Sequence, residues 1–503
     1  MKILNAEQIR KADSYTIENE PIASIDLMER ASKECFLWIK KHIKKDKKIF
    51  VFCGMGNNGG DGLAIARMLR STGYNVFLYK VLHKDEASED FIINEKRLKK
   101  IKGFKIYDIN NIDDFPETNK DDIIIDALLG SGLNSPLRGL LADVVRQINL
   151  TEGKIISIDF PSGLFCEDNS SNKADLVVHA THTLSFQVPK LSFFFAENEK
   201  FTGLWHILDI GLNQEFINEQ ETAFYYTLPQ MIKPIYRPRK VFSHKGDYGH
   251  ALLLAGSKGK SGAAVLSAKA AVKSGVGLMS ISLPGSCYLP VQVNVPEAMC
   301  IADNDENIIQ ELVDISKFSV VGAGPGIGVG KQTQNVIKLL IQNSSAPLVL
   351  DADAINILSE NPTWLSFLPK SSILTPHPGE MDRLAGKSAS AFERLDKARE
   401  YAFKYGIYIV LKGAYTSIIC PDRKVFFNST ANPGMATGGS GDVLTGVILA
   451  WLAQGYSPFE SALIGVYLHG LSGDIAARKL SFEAMSATDI INNIWKAIRK
   501  TFY

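Results

Sequence analysis

Short runs of apolar residues recur along most of this chain, each followed by a turn and a segment with helical spacing. In the first half the runs are residues 49–53, 76–79, 123–125 and 155–158. In the second they are 251–254, 279–283, 320–321, 348–350 and 407–411. Runs with no polar alternation belong to strands buried on both faces of a parallel sheet. Regular alternation with helices means α/β layers. The pattern lapses over residues 214–239, where Pro229, Pro234 and Pro238 stand among Tyr, Phe and Ile, as in an ordered connector. A chain of 503 residues fits two or three domains. We therefore expect one α/β domain over 1–220 and a second over 221–503. No fixed-period repeat is visible, which argues against a solenoid.

Bulk properties exclude several functions. The net charge of +1 lacks the basic excess of a general nucleic-acid binder. The lysine-rich stretch 40–48 reads as a solvated helix end. Cys35, Cys53, Cys166, Cys287, Cys300 and Cys420 are widely spread, without a Cys-x-x-Cys pair, and so read as free, mostly buried thiols. Met1-Lys2-Ile3-Leu4-Asn5-Ala6-Glu7 has no signal-peptide core, and no apolar run is long enough to span a bilayer. The expected setting is the cytoplasm, with no membrane or nucleic-acid partner.

Gly54-Met55-Gly56-Asn57-Asn58-Gly59-Gly60-Asp61-Gly62 follows the first apolar run and opens a helical segment. It contains Gly-x-Gly-x-x-Gly, but the next strand runs into Lys80-Val81-Leu82-His83 and lacks the acid that would hold a ribose. Binding of NAD as an ordinary redox cofactor is disfavoured. What remains is a helix N-terminus able to seat a phosphate, with Asn57, Asn58 and Asp61 able to reach a ligand or cation. Asp126 ends one strand and Asp159 another, and each leads into a small-residue loop. Ligands bind outside the carboxyl ends of such strands, although an acid there is also a common helix N-cap. Asp126, Asn58 and Ser162 together offer oxygen ligands for a hard cation. His179 and His182 fall in 176–184, which reads as a strand, and three residues apart on a strand they face opposite sides. We take both as structural.

Asn57-Asn58-Gly59-Gly60-Asp61-Gly62, Asp126-Ala127-Leu128-Leu129-Gly130-Ser131-Gly132-Leu133 and Asp159-Phe160-Pro161-Ser162-Gly163 together resemble the NAD(P)H-hydrate epimerase family. The resemblance implies a Rossmann-like three-layer α/β/α domain. It implies substrate contacts by Asn57, Asn58, Gly59, Gly60 and Asp61, by Gly130-Ser131-Gly132-Leu133-Asn134-Ser135-Pro136, and by Asp159. It also implies a potassium ion on Asn58, Asp126 and Ser162. Asp159 is the expected acid/base for interconverting the R and S hydrates at the carbinolamine carbon of the nicotinamide ring.

In the second half, Asn432-Pro433-Gly434-Met435-Ala436-Thr437-Gly438-Gly439-Ser440-Gly441-Asp442 runs into an apolar helix. Small residues let backbone N–H groups close around phosphate oxygens. Asp442 stands where it could take a proton from a hydroxyl beside the terminal phosphate. Upstream, Lys412-Gly413-Ala414-Tyr415-Thr416 ends a strand with a charge and a hydroxyl. This set, with Gly324-Pro325-Gly326-Ile327-Gly328, Asp351-Ala352-Asp353-Ala354 and Thr375-Pro376-His377-Pro378-Gly379-Glu380, resembles the ribokinase-like fold, and within it NAD(P)H-hydrate dehydratase. The resemblance implies an adenine nucleotide on Lys412 to Thr416 and Asn432 to Gly441. It assigns the hydrated dinucleotide to Ala264, Gly326, Thr375, Pro376, His377, Pro378, Gly379, Glu380, Met381 and Asp442. Asp442 is the expected base, and the phosphoryl donor is ADP or ATP with Mg2+, the two-domain layout favouring ADP.

The expectation is a cytoplasmic, homo-oligomeric enzyme of metabolite repair. It would epimerise hydrated NADH and NADPH and dehydrate the S form at the expense of the nucleotide. The alternative is a ribokinase-like kinase of a vitamin precursor carrying an N-terminal binding module. In that reading the first domain has no evident task.

Overall fold

Seven strands form the sheet of the first half: β1 (Lys48–Cys53), β2 (Asn75–Val81), β3 (Ile106–Ile109), β4 (Ile123–Ala127), β5 (Lys154–Ile158), β6 (His182–Phe186) and β7 (Leu204–Leu208). The computed structural model describes residues 1–503 and divides into two units, Lys2–Thr222 and Ala223–Tyr503. In the first unit the strand order is β3-β2-β1-β4-β5-β6-β7, and every neighbouring pair is parallel. Side chains alternate across the strands. Ile49, Val51 and Cys53 therefore pack with Leu63, Ile65 and Leu69 on one face. Phe50, Phe52 and Ile124 pack with Val144, Val145 and Ile148 on the other. This is a three-layer α/β/α unit. Each fully buried Leu, Ile or Phe contributes roughly 1.5–3 kcal/mol, which holds the layers together.

The strand order reverses between β1 and β4, the position at which ligands bind in such sheets. The loop after β1 carries the asparagine motif, and the loop after β4 follows Asp126. Two sequence expectations need correction. Residues 176–184 are not one strand: a short turn, Ala174–Leu176, precedes a segment without regular structure, and β6 begins only at His182. The β-like composition of Val177 and Val178 reflects burial in the core rather than ladder pairing. His179 lies against Phe201, and His182 pairs with His206 beside Trp38, so both histidines do pack structurally. The stretch 214–239 is also more regular than its prolines imply. It contains the helix Gln214–Glu219 and the strand β8 (Phe224–Thr227).

The second unit holds a sheet of ten strands. After β8 come β9 (His250–Leu254), β10 (Leu278–Leu283), β11 (Ala298–Ala302), β12 (Val320–Ala323), β13 (Leu348–Leu350), β14 (Ile373–Leu374), β15 (Tyr408–Leu411), β16 (Ser417–Ile419) and β17 (Val425–Asn428). The order is β11-β10-β9-β12-β13-β14-β15-β16-β17-β8. It is parallel through β15, after which β16 runs antiparallel to both of its neighbours. The helices Ser440–Ala453 and Pro458–Ala477 are apolar nearly all round because they lie inside this unit. Ser457 caps the second of them through a capping box with Glu460, and Pro458 occupies the first turn.

Gly446 marks a close approach of two helices. A Cβ built there would lie 1.9 Å from the carbonyl oxygen of Ser267 on the helix Ser261–Lys273. Helix propensity alone makes Gly446→Ala stabilising by about 1 kcal/mol. The packing reverses that sign: urea unfolding of Gly446→Ala should show a loss of about 1–3 kcal/mol.

Candidate active sites

Asp126 organises the first site. It is fully buried at the end of β4. Its Oδ1 accepts from the Ser162 hydroxyl at 2.6 Å and from Leu128 N at 3.2 Å. Its Oδ2 accepts from the Ser157 hydroxyl at 2.7 Å and from Ser162 N at 2.9 Å. Leu129 N in turn donates to Ser162 Oγ at 2.9 Å. The loops after β4 and β5 are thus tied to one carboxyl group. Burial pushes Asp126 upward, and its hydrogen bonds with Ser162, Ser157 and Leu128 oppose the shift.

Asn58 is buried in the first turn of the helix Asn57–Ser71, and neither its Oδ1 nor its Nδ2 has a hydrogen-bond partner. A buried amide left unpaired costs about 1–3 kcal/mol, and both polar atoms of Asn58 could take a ligand as partner. Gly130 lies between Asn58 and Asp159: a Cβ built on it would sit 3.7 Å from Asn58 Cβ and 3.1 Å from Asp159 Oδ2. Ser131 N also donates to that oxygen, at 3.3 Å. Gly59 is required for a different reason, since a Cβ there would fall 1.7 Å from the Gly54 carbonyl oxygen. Asn57 is exposed at the helix start, whereas Asp61 turns inward and accepts from the Ser32 hydroxyl at 3.0 Å. Burial raises Asp61 well above the ordinary carboxyl range. In the loop 130–136, Gly132, Asn134 and Ser135 are exposed, and Ser131, Leu133 and Pro136 are half-buried.

Asp159 occupies the left-handed region at φ +60°. Phe160 N donates to Ile158 O at 2.7 Å, closing a three-residue turn around it. Such a turn is strained, by roughly 1–3 kcal/mol, and persists because the surroundings impose it. The strain aims the carboxylate past the end of β5 toward Asn58 and Gly130. Two residues that sequence reasoning missed stand beside it. Lys190, with no exposed side-chain area, places its Nζ 3.2 Å from Asp159 Oδ1. Asp13 is pushed up to about 7 by burial, with Asp159 adding to the rise and Lys190 opposing it. Neither residue lies in a motif. Lys80, at the end of β2 where a ribose-binding acid would stand, is engaged with Glu95 and Asp108.

The second site also gathers at strand ends. Asp351 follows β13 and is almost wholly buried. Its Oδ1 lies 2.7 Å from Lys412 Nζ, and its Oδ2 accepts from the Thr445 hydroxyl at 2.7 Å. Lys412 is also 3.7 Å from Glu380 Oε2. A Cβ on Gly441 would lie 3.4 Å from Lys412 Nζ, so the glycine-rich turn closes over this lysine. Gly439, at φ +89°, makes the bend that starts the helix Ser440–Ala453. Asp442 in its first turn is pushed up to about 6 by burial and by the Asp351 charge, with Lys412 opposing. Asp351 and Thr445 are the partners that sequence reasoning left outside the site. The Asp-Ala-Asp pattern signalled the first, and nothing in the sequence signalled the second.

The remaining residues of this half divide into rim and support. His377 caps the helix Pro378–Ala385, its Nδ1 accepting from Gly379 N at 3.0 Å and from Glu380 N at 3.3 Å. Gly326, at φ +67°, faces Lys260 and Ala263, and its carbonyl accepts from the Ser257 hydroxyl at 2.7 Å. Ala264, Thr375 and Met381 are buried behind that rim. Thr416 closes its own turn, its hydroxyl donating to Gly413 O at 3.0 Å. Asn432 caps the turn Pro433–Met435 and donates to Asp474 at 3.0 Å. Gly438 and Ala436 are exposed on the glycine-rich turn.

Known proteins match this layout in the same order. A family model described as YjeF-related protein N-terminus matches residues 24–192. A second, described as NAD(P)H-hydrate dehydratase, matches residues 251–496. The chain is 33% identical to the bifunctional NAD(P)H-hydrate repair enzyme of Moorella thermoacetica, covering 98% of this chain and 96% of that one. It is 31% identical to the enzyme of the same description from Escherichia coli K12, covering 98% and 93%. Among solved structures, a ribokinase-like superfamily protein from Enterococcus faecalis V583 aligns with a TM-score of 0.50 at 28% identity, over 56% of this chain and 98% of that one.

One consequence of the first site's geometry is testable by stability alone. Asp126→Ala leaves two hydroxyls and two backbone N–H groups without their acceptor. Chemical unfolding should show a loss of about 3 kcal/mol or more.

Proposed function

The chain belongs to the family of bifunctional NAD(P)H-hydrate repair enzymes, and from that premise we propose how its two halves divide the work. The enzyme restores hydrated NADH and NADPH, epimerising the R and S hydrates and dehydrating the S form at the expense of an adenine nucleotide. The observation that carries this reading is a likeness that runs through both units in order. It gives the first unit a task, which a vitamin-precursor kinase with an appended binding module would not.

In the first unit Asp159 acts as the acid/base. The carbon to be inverted carries both a hydroxyl and the ring nitrogen, so it inverts by ring opening. The hydroxyl gives up its proton as the C–N bond breaks to leave an aldehyde and an N–H, and the nitrogen then re-adds to the other face while a proton returns to the oxygen. Asp159 is half-buried, strained into place and flanked by the glycine-rich loop. The helix start at Asn57 to Gly60 offers backbone N–H groups to the substrate phosphates. Asn58, Asp126 and Ser162 fit a potassium ion: the Asn58 carbonyl is buried and unpartnered, and Asp126 and Ser162 add hard oxygen atoms. When bound, that ion would supply positive charge beside the substrate.

In the second unit the ring hydroxyl is a poor leaving group until it is phosphorylated. Asp442 takes the hydroxyl proton while the oxygen attacks the terminal phosphorus of ADP or ATP, and the bond from that phosphorus to the bridging oxygen breaks to release AMP or ADP. Mg2+ would offset the charge that collects on the leaving nucleotide. Phosphate then departs with the C–O electron pair, and loss of the neighbouring C–H proton restores the ring double bond. Backbone N–H groups of the turn Gly438 to Gly441, with Lys412, stabilise the charge on the moving phosphoryl group.

Two variants separate the halves. Asp159→Asn should slow conversion of the R hydrate by about 10²–10⁴-fold and leave dehydration of pure S hydrate unchanged. Asp442→Asn should slow dehydration by a similar factor. Asp442 works as a base only when ionised, and its carboxyl is pushed up to about 6. Dehydration of S hydrate should therefore rise as pH increases through about 6 and level off above it. A profile flat from pH 5 to 8, measured by return of reduced-nicotinamide absorbance, would contradict the assignment.

A further inference from the structure

We propose that Lys190 is a positioning residue for epimerisation, its buried ammonium fixing the Asp159 carboxylate and balancing its charge. The inference rests on the reading of Asp159 as the acid/base.

The geometry begins with a second strained turn. Gln187, directly after β6, has φ +60°, as Asp159 does after the neighbouring β5. Val188 N donates to Phe186 O at 2.7 Å and closes a three-residue turn around Gln187. The Gln187 side chain holds that turn in place, its Oε1 accepting from Ile210 N at 3.0 Å and Leu212 N at 3.3 Å. The Phe186 and Val188 carbonyls accept from Lys190 Nζ at 3.0 and 3.2 Å. The third partner of the ammonium is Asp159 Oδ1 at 3.2 Å. All three donors of the ammonium are therefore used.

Two of those three partners are neutral carbonyls that a neutral donor would satisfy. Only Asp159 calls for a charge. Burying a lysine with no exposed area is costly without a carboxylate partner, and this one is wholly buried. The two oxygens of Asp159 are then unlike. Oδ1 is anchored to Lys190, and Oδ2 faces Gly130 and Ser131 N on the side of the loop. The anchored oxygen fixes direction, and the other is available to a substrate proton. The side chain is 15% exposed, enough for contact with a ligand.

The surroundings explain why a cation is placed here. Asp13 from the helix Ala6–Asn19 and Asp61 from the helix Asn57–Ser71 both feel the Asp159 charge, as do the buried thiols Cys35 and Cys166. Burial is the main cause that raises Asp13 and Asp61, and the Asp159 charge adds to it. Three carboxyl groups thus share a region of low polarity with Lys190. Lys190 supplies positive charge among them and opposes the rise at Asp13.

The test uses the full chain with R hydrate as substrate, epimers separated by chromatography, and rates measured across pH. Dehydration of pure S hydrate is followed in parallel. For Lys190→Met we expect a fall of about 10²-fold in epimerisation at neutral pH. We also expect the acidic limb of the profile to move up by about one pH unit or more, with S-hydrate dehydration unchanged. An unaltered profile would overturn the proposal. So would an equal fall at every pH, which marks a scaffolding role. Lys190→Gln keeps donors for the Phe186 and Val188 carbonyls and decides the matter if the methionine variant fails to fold. The same displaced limb supports the proposal, and the unaltered enzyme's limb in this variant refutes it. Asp159→Asn distinguishes the two claims. Full epimerisation in that variant removes the acid/base reading itself. Loss there, with unaltered profiles in both Lys190 variants, removes only the role of Lys190.

Discussion

A carboxylate buried at the carboxyl end of a central parallel strand, with every oxygen committed to hydrogen bonds, underlies each half of this enzyme. Asp126 gathers Leu128, Ser157 and Ser162. Asp351 gathers Lys412 and Thr445. A carboxylate removed from water is tolerable only when such partners are present, so the loops carrying those partners are held in one arrangement. The groups assigned to chemistry, Asp159 and Asp442, stand beside these anchors and keep some contact with solvent. In the proposed assignment, anchoring and reaction are divided between neighbouring aspartates, and the one proposed to react inherits a rigid frame.

The electrostatic settings of the two aspartates proposed for chemistry differ. Asp442 shares its surroundings with Asp351, Asp353 and Lys412, and burial lifts it to about 6. That value lies close to the range where proton transfer from a hydroxyl is best matched, as its proposed role as a base requires. Asp159 is paired with a buried cation, while Asp13 nearby is raised to about 7. Neighbouring carboxyl groups in unlike environments are a recurrent way to assign acid and base roles. The two halves also need each other chemically. Dehydration accepts one epimer, and epimerisation keeps the other from being stranded.

Much of this was legible in the sequence. The apolar runs without alternation marked the central strands, because a strand covered on both faces needs apolar residues at every position. Gly54 to Gly62 and Asn432 to Asp442 declared their loops, because close backbone approach excludes side chains. Edge strands such as β3 and β7 were not declared, since half-exposed residues carry a mixed pattern. Lys190 was invisible for a different reason. A lysine two residues after Val188 reads as a solvated surface residue, and only the folded turn at Gln187 buries it against Asp159. Asp13 likewise sits on an amphipathic helix far upstream. Pairing across such distances is a property of topology, and no local spacing encodes it. The turn at Asp159 was equally hidden, because nothing in Ile158-Asp159-Phe160 requires a positive φ.

The measurement that bears most directly on the account mixes the unaltered protein with both epimers of the hydrate and either ADP or ATP. It follows the return of reduced-nicotinamide absorbance. Complete recovery, faster than spontaneous interconversion of the epimers and dependent on the nucleotide, is the predicted result. Recovery that stops at the S fraction would contradict the role of the first unit. No recovery with either nucleotide would contradict the account of both.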